Sequence, residues 1–396
     1  MKHIILFFAA ALGAFCNAKA QQDVLKTIEE NNIELQLART QGAKAVLEIK
    51  AQNGLDPTEV EYSPFFTKGI SGMSSSELIV SQSFDLPWAY TSRSRLATLT
   101  TTANDAAYNA LRQDVLLRAR NLCIELCGLR EALGITDKRL AIADSLVTLY
   151  QKRLDRGDAT ALDLNSIRIE RIRVAKERIE LHTAITKAQA ALNALNGGKE
   201  IQLNTTSASS FINAETVSAT ASSATLSATA STATDARSAA AEEALKAARQ
   251  RERVASGESL PRLSLGYRRN TDLESSSHGV LIGASIPLFS NQKRRTIARR
   301  EREAAELQQK QTETEIANER LQLQAELQQA ADILAVSDPT LVQESLTLLR
   351  KSLSYGDISL PNYLQQAAPL YEQLQSVIAT RTLYLQTLSS LRRAEL

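Results

Sequence analysis

The sequence predicts a mostly helical α+β protein in which one structural unit is used twice. Two landmarks recur at nearly the same offset, because Pro87 and Pro287 lie 200 residues apart and Gly157 and Gly356 lie 199 apart. Each proline is preceded by short segments of strand character and followed by a long stretch of helix-forming residues. Landmarks that repeat at one offset indicate duplication. The repeated unit therefore comprises a helix, a β-hairpin and a long α-hairpin.

Residues 1–20 are predicted to be a removable signal peptide. A short basic start precedes an apolar run from Ile4 to Phe15, and Ala18-Lys19-Ala20 forms a small-x-small cleavage site. The run is too short for a membrane helix of about 20 residues, so we expect the chain to be exported. Lipidation of Cys16 is the alternative, but Phe15 occupies the preceding position, where a small residue is needed.

The first repeat is predicted to span residues 21–200. Its elements are a helix, two strands and an α-hairpin, at residues 23–52, about 58–66, about 77–87 and about 92–197. The hairpin turns at residues 155–160. No proline interrupts Ser92–Leu154, and 63 residues at 1.5 Å each predict a helix of about 95 Å. Gly128 and Gly134 make a local bend plausible.

The second repeat is predicted to span residues 237–396. Residues 201–236, which precede it, are rich in Ser, Thr and Ala and are interpreted as a linker. The repeat's elements are a helix, two strands and an α-hairpin, at residues 239–255, about 260–269, about 278–288 and about 290–395. The hairpin turns at residues 354–359, and Asp338-Pro339 predicts a kink in its first helix.

The strand candidates of the second repeat have two different faces. Leu263, Leu265 and Tyr267 share one face, and Val280 and Ile282 alternate in the same way with small residues. Segments of about ten residues with this pattern are typical of transmembrane barrel strands. Four strands cannot close a barrel, and an open sheet edge in lipid leaves backbone groups unsatisfied. Three copies would supply twelve strands around a water-filled lumen, so the sequence predicts assembly into a conduit.

Both predicted hairpin turns carry the same signals. Gly157 and Gly356 can adopt the left-handed conformation that ends a helix. Thr160 and Ser359 are predicted N-caps of the return helices, and Asp163 occupies the third position after Thr160, as in a capping box. The aspartates near the turns are candidates for a gate, and helix capping is the alternative; one carboxylate can do both.

Composition argues against several functional classes. The 46 basic and 44 acidic residues give a net charge of +2, which argues against a nucleic-acid partner. No phosphate-binding loop or zinc spacing is present, so we expect neither an enzyme nor a cofactor or metal site. Cys123 and Cys127 lie four residues apart on one helix face. They are interpreted as buried apolar residues, a disulfide or shared metal being the alternative.

Several short motifs occur in order along the chain, and most of them occur twice. They are Glu30–Leu35, Gly157–Asp163, Leu192–Gly197, Leu260–Leu265, Ala284–Phe289 and Gly356–Asn362. On these motifs the chain resembles the TolC-like outer-membrane efflux protein family over essentially its whole mature length.

The resemblance implies a homotrimer in the outer membrane of a Gram-negative cell. A twelve-stranded β-barrel in outer-membrane lipid would be continued by a twelve-helix α-barrel in the periplasm. The trimer would dock to a periplasmic adaptor protein and, through it, to an inner-membrane pump, and would passively conduct the pump's substrates. The outlet of a type I-like protein secretion system and a periplasmic coiled-coil scaffold without a pore are the alternatives.

The resemblance also implies positions for the functional residues. The periplasmic tips, where the adaptor would dock, comprise Gly157, Asp158, Thr160, Gly356, Asp357 and Ser359. The aperture would be lined by Asp163, Asn362 and Gln365; Asn362 stands where the family often has an acid. Aromatic residues that lie just after the strands, as a membrane-interface belt would, are Trp88, Tyr90 and Phe289.

Overall fold

The computed structural model describes residues 23–66, 68–69, 71–201, 235–257, 260–286 and 292–396. The predicted signal peptide with Cys16, most of the predicted linker, Pro287 and Phe289 lie outside these residues. The helices are α1 (residues 23–31), α2 (Ile33–Ala51), α3 (Pro87–Asp155), α4 (Ala161–Leu195), α5 (Ala236–Gly257), α6 (Gln292–Val336), α7 (Pro339–Tyr355) and α8 (Leu360–Leu391). The strands are β1 (Glu59–Phe65), β2 (Ser75–Phe84), β3 (Arg262–Asp272) and β4 (Ser276–Ser285).

The fold is a mostly helical α+β architecture with one small sheet, which confirms the predicted class. Each strand overlaps its predicted segment, with ends that differ by at most three residues. Helix α3 runs for 69 residues without interruption and passes through Gly128 and Gly134. It begins at Pro87, five residues before the predicted start, because a proline in the first helical turn has no intrahelical hydrogen bond to lose.

Two helices that the sequence predicts as continuous are each divided in two. Asn32 separates α1 from α2: its side-chain amide donates to the Leu195 carbonyl at 2.8 Å, and its Oδ1 accepts from the Leu35 amide at 2.9 Å. Asp338 separates α6 from α7, since its carboxylate accepts from the amides of Thr340 and Leu341, both at 3.0 Å. In both places a side chain replaces backbone hydrogen bonds, so the predicted single helices are wrong there.

The chain divides into two compact units, and each draws on both predicted repeats. Among the described residues, unit 1 comprises 23–35, 112–201 and 317–396, and unit 2 comprises those of 36–111 and 235–316. The sheet lies in unit 2, and both hairpin turns lie in unit 1. Across the described ranges, no helix has both the length and the apolar character that crossing a bilayer requires.

A hydrophobic cluster in unit 1 holds the two α-hairpins together near their turns. It contains Tyr150, Leu164, Ile167, Leu353, Leu360, Tyr363, Ala367 and Tyr371. These side chains come from α3, α4, α7 and α8, and each lies within about four helical turns of Gly157 or Gly356. The two turns therefore lie at the same end of unit 1.

Candidate functional site

The sheet of unit 2 is antiparallel throughout, in the order β1-β2-β3-β4. Residues paired directly across antiparallel strands share a face, so the register defines both faces. One face is mostly apolar and carries Val60, Tyr62, Leu78, Val80, Phe84, Leu263, Leu265, Tyr267, Val280 and Ile282, with Gln82, Arg269 and His278 among its polar members. The opposite face is mostly polar or small and carries Glu59, Glu61, Glu77, Ser81, Ser264, Arg268, Gly279 and Gly283, with Phe65, Ile79 and Leu281 as exceptions.

The apolar face is open to its surroundings. Val280 and Ile282 are 75% and 79% exposed, although such side chains are normally buried in a water-soluble protein. In the part of the chain that the structure describes, β1 and β4 form the two edges of the sheet, each with one strand partner. The sheet thus presents an apolar surface and two edges with unpaired backbone groups. On the polar face Arg268 forms an ion pair with Glu77 of the neighbouring strand.

Asp85 anchors the junction between β2 and α3. Its carboxylate accepts from Arg93 of α3 at 2.5 Å and from Arg262 of β3 at 3.0 Å. Arg93 also lies over the Tyr90 ring, and Tyr90 accepts a hydrogen bond from the Asp85 amide at 3.1 Å. Tyr90 is therefore part of this junction, whereas Trp88 is half exposed in the first turn of α3. No local sequence pattern distinguishes Asp85, Arg93 or Arg262 as partners.

The first hairpin turn is closed by backbone and side-chain hydrogen bonds. Gly157 has a φ of +81°, and its amide donates to the Leu154 carbonyl at 3.0 Å. Thr160 and Asp163 form a reciprocal capping box at the start of α4, in which the Asp163 amide donates to Thr160 Oγ1 and the Thr160 amide donates to Asp163 Oδ2, both at 3.1 Å. The Thr160 hydroxyl also donates to Asp163 Oδ2 at 2.6 Å.

These bonds further favour the ionised form of Asp163. Donation from the Thr160 hydroxyl, and then from the Thr160 amide, holds the pKa of the Asp163 carboxyl below its usual value. The carboxylate is consequently ionised at neutral pH and engaged in capping at the same time. The nearby Asp158 and Gly157 are exposed.

The second hairpin turn has the same backbone but a different cap. Gly356 adopts the left-handed conformation at the end of α7, with a φ of +85°. Ser359 occupies the N-cap position of α8, but its side chain makes no capping hydrogen bond, so the capping role predicted for its hydroxyl is wrong. Asp357 and Ser359 are exposed, as are Asn362 and Gln365 in the first turns of α8.

A buried ionic network that the sequence analysis missed lies farther along the hairpins. Arg139 of α3 donates to Glu170 of α4 at 2.6 Å and lies 3.7 Å from Glu177. Its guanidinium is also 4.7 Å from the ring centre of Tyr371 on α8. Gln375 of α8 donates to Glu177, so the network joins three helices. In the sequence Arg139 looks like the exposed charged residues beside it. Only the folded structure shows that its side chain is buried.

The two cysteines behave as buried thiols. Both are free, and burial raises the pKa of Cys123 to about 12 and that of Cys127 to about 11. Thiols with such pKa values are protonated at neutral pH and poor metal ligands. Within the described ranges, no group of three or more potential metal ligands is found.

One protein-family model matches the second half of the chain. Residues 235–394 match the model of the outer membrane efflux protein family. The matched family is described as one of efflux proteins rather than enzymes, which agrees with the prediction that the chain is not an enzyme. A search of curated protein sequences gives no match.

Solved structures share the fold over nearly the whole chain. CusC, described as undergoing transmembrane channel formation, is 19% identical with a TM-score of 0.76, over 95% of this chain and 92% of that one. The Campylobacter jejuni CmeC outer membrane channel is 16% identical with a TM-score of 0.73, over 95% and 85%. The Neisseria gonorrhoeae MtrE outer membrane channel is 13% identical with a TM-score of 0.69, over 94% and 88%.

At these identities the likeness to solved structures establishes the fold, while the match over residues 235–394 is to the family itself. Together they confirm the resemblance of this chain to the TolC-like outer membrane efflux protein family.

Proposed function

We propose that this chain is one subunit of a homotrimeric outer-membrane channel that serves as the exit duct of a tripartite efflux system. The channel conducts substrates passively from an inner-membrane pump and its periplasmic adaptor to the cell exterior. The observation that carries the proposal is the open four-stranded sheet, apolar on one face and polar on the other. The predicted signal peptide supports export of the chain.

The open sheet supports pairing with further copies of the chain. In lipid, every backbone amide and carbonyl must be hydrogen-bonded within the protein, so the free edges of β1 and β4 need partners. Pairing β4 of one subunit with β1 of the next closes twelve strands into a barrel wide enough for a water-filled lumen. Val280 and Ile282 then face lipid, and Glu77 and Arg268 face the lumen.

The hairpin turns are proposed as the periplasmic end of the duct. Gly157, Asp158 and Thr160 of the first turn, and the equivalent Gly356, Asp357 and Ser359, are exposed and available to an adaptor. Asp163, Asn362 and Gln365 are proposed to line the aperture, with Asp163 supplying negative charge. Trp88 and Phe289 are proposed to lie at the membrane interface; Tyr90 is proposed there as well, in addition to its contacts with Asp85 and Arg93.

Planar-bilayer recording combined with a mass measurement in detergent tests this function. We expect the purified protein to have the mass of three chains and to give discrete conductance steps in a lipid bilayer. A trimer that gives no conductance would support the scaffold alternative instead. A monomer that is soluble without detergent would contradict both the barrel and the duct.

A further inference from the structure

Helix α4 is apolar on two opposite sides, and the described residues of its own chain cover only one of them. The covered side carries Leu164, Ile167 and Val174, which are buried in unit 1. The other side carries Leu162, Ile169, Ile172 and Ile179, all of which are at least 64% exposed. At 3.6 residues per turn the two sets lie nearly opposite each other on the helix. A helix that is apolar on both sides is normally buried on both sides.

Helix α7 carries a second uncovered apolar row. Val342 and Leu353 are buried against the rest of unit 1. Leu341, Leu348 and Tyr355 lie on a different side of the helix and are 59%, 62% and 79% exposed. We call the four exposed residues of α4 the α4 stripe and these three the α7 stripe.

The two stripes have the same period. Residues of the α7 stripe are seven apart, and those of the α4 stripe are separated by seven, three and seven. Spacing of seven, with steps of three and four, is the pattern of helices that pair along a coiled-coil seam. Isolated exposed apolar residues are ordinary, but two aligned rows on one molecule indicate covered surfaces.

The stripes also begin at the same level. The hydrophobic cluster near the turns places Gly157 and Gly356 at one end of unit 1. Leu162 lies five residues after Gly157 and Tyr355 one residue before Gly356. Helix α4 leads away from that end and α7 leads toward it. Counted from the turns, Tyr355 is therefore nearly level with Leu162, and Leu348 with Ile169.

We propose that the occupant of each stripe is the other stripe on a second copy of this chain. Helix α7 of one subunit packs antiparallel along α4 of the next, with Tyr355 beside Leu162 and Leu348 beside Ile169. The inference rests on the proposed trimer and specifies which helices form its seam. Because the two stripes differ, the contact is heterologous, and heterologous contacts can close into a ring such as the proposed trimer, whereas a stripe paired with itself would stop at a dimer.

Paired cysteine substitutions test the seam. The variants are L162C/Y355C and I169C/L348C, oxidised in the full-length protein in detergent. We expect both pairs to convert most of the protein to covalently linked trimers on non-reducing gels. The single variants L162C and Y355C should give no cross-link, because a heterologous seam does not bring identical positions together. The unsubstituted chain, whose Cys123 and Cys127 are buried, gives the background.

A mismatched pair controls for random collision. In L162C/L341C the second cysteine is moved 14 residues along α7, about 21 Å at 1.5 Å per residue, so no covalent trimer is expected. If the protein is trimeric by mass but neither matched pair cross-links, the seam is wrong and the trimer stands. If single variants form covalent dimers, the like-with-like arrangement replaces the seam. A monomer in detergent would overturn both the seam and the proposed trimer.

Discussion

At the scale of single residues, Asp163 combines two roles that the sequence could not separate. Its carboxylate accepts from the Thr160 amide at 3.1 Å and from the Thr160 hydroxyl at 2.6 Å, so it is a capping residue. It also places a negative charge near the first turn. The capping contact was predictable from the Thr160-to-Asp163 spacing, which is a local signal. Whether the charge controls conductance depends on neighbouring subunits, and no local pattern encodes that.

Two substitutions separate these roles. Asp163→Ala removes the cap and the charge, whereas Asp163→Asn retains a side-chain oxygen for the cap and removes only the charge. If the charge restricts the aperture, both variants should raise resting conductance in planar bilayers. An increase with Asp163→Ala alone would assign the effect to capping. Unchanged conductance in both variants would remove Asp163 from the gate.

Asp163→Ala should also destabilise the start of α4 by about 1 kcal/mol, as loss of an N-cap interaction does. The lowered pKa means that the capping interaction stabilises the fold above the unfolded-state pKa of about 3.9. It is lost as the pH falls through the lower, folded-state pKa. Amide hydrogen exchange at residues 160–164 should therefore be faster in the alanine variant at neutral pH, and this difference should disappear in strong acid.

Arg139 provides a second prediction at the residue scale. Its side chain is 6% exposed and pairs with Glu170 and Glu177, so Arg139→Leu removes the buried cation from both carboxylates and leaves Glu170 with the more exposed Arg173. We expect a loss of about 3 kcal/mol, as when one partner of a buried ion pair is removed. The matched control is Arg171→Leu, whose partner Asp144 is 2.5 Å away at an exposed site.

That control should cost less than about 1 kcal/mol, because exposed ion pairs contribute little. Thermal unfolding in detergent at one protein concentration compares the two variants. Equal losses would mean that the buried network does not hold the three helices together.

At the scale of secondary-structure elements, the helices and strands follow local patterns, but the two helix breaks differ in how far the sequence shows them. Asn32 ends α1 because its amide reaches the Leu195 carbonyl, 163 residues away, and this contact exists only in the folded chain. Asp338-Pro339 is a clear local signal, from which we predict a kink. The structure shows a stronger effect, because this pair separates two helices instead of bending one. Ser359 shows the opposite error, because a favourable residue stands at the N-cap without forming the bond.

The two caps of the second repeat predict different mutational costs. Asp338→Ala removes bonds to the amides of Thr340 and Leu341 and should destabilise α7 by about 1 kcal/mol. Ser359→Ala removes no capping bond and should change stability by less than about 0.5 kcal/mol. Thermal unfolding of both variants checks the difference. A larger loss for Ser359→Ala would contradict the assignment of the caps.

Adjacent residues of β1 test which side of the sheet meets lipid. Val60 lies on the apolar face and Glu61 on the polar face. Val60→Arg should cost up to about 2–4 kcal/mol if it faces the hydrocarbon near mid-depth, whereas Glu61→Arg should be tolerated because it faces water. The yield of trimer that resists dissociation in outer-membrane extracts measures both. Equal yields would contradict the proposed membrane orientation of the sheet.

At the scale of the whole molecule, the sequence predicts the duplicated plan but not how its parts group together. The recurrence of Gly157 and Gly356 and the alternating strands are visible in the chain. The two compact units each combine residues from both predicted repeats, because β2 pairs with β3 and α4 packs with α8. Such grouping arises from long-range contacts, which local patterns do not encode.

This grouping predicts that neither predicted repeat folds alone. Residues 21–200 would keep β1 beside β2 but lack β3, and residues 237–396 would keep β4 beside β3 but lack β2. We expect each half, expressed separately, to be degraded rapidly by protease, and the two halves expressed together to form a protease-resistant complex. A protease-resistant half would show that a repeat is an independent folding unit.

The different ends of the two hairpins also have a consequence for motion. Helix α4 starts with the capping box of Thr160 and Asp163, and α8 starts without a side-chain capping bond. Unwinding the first turn of α8 therefore breaks fewer bonds than unwinding that of α4. In a ring of three copies, hairpin tips with a side-chain cap would alternate with tips that lack one. Such a ring would therefore widen first at the three uncapped tips, while the three capped tips keep their helical first turns.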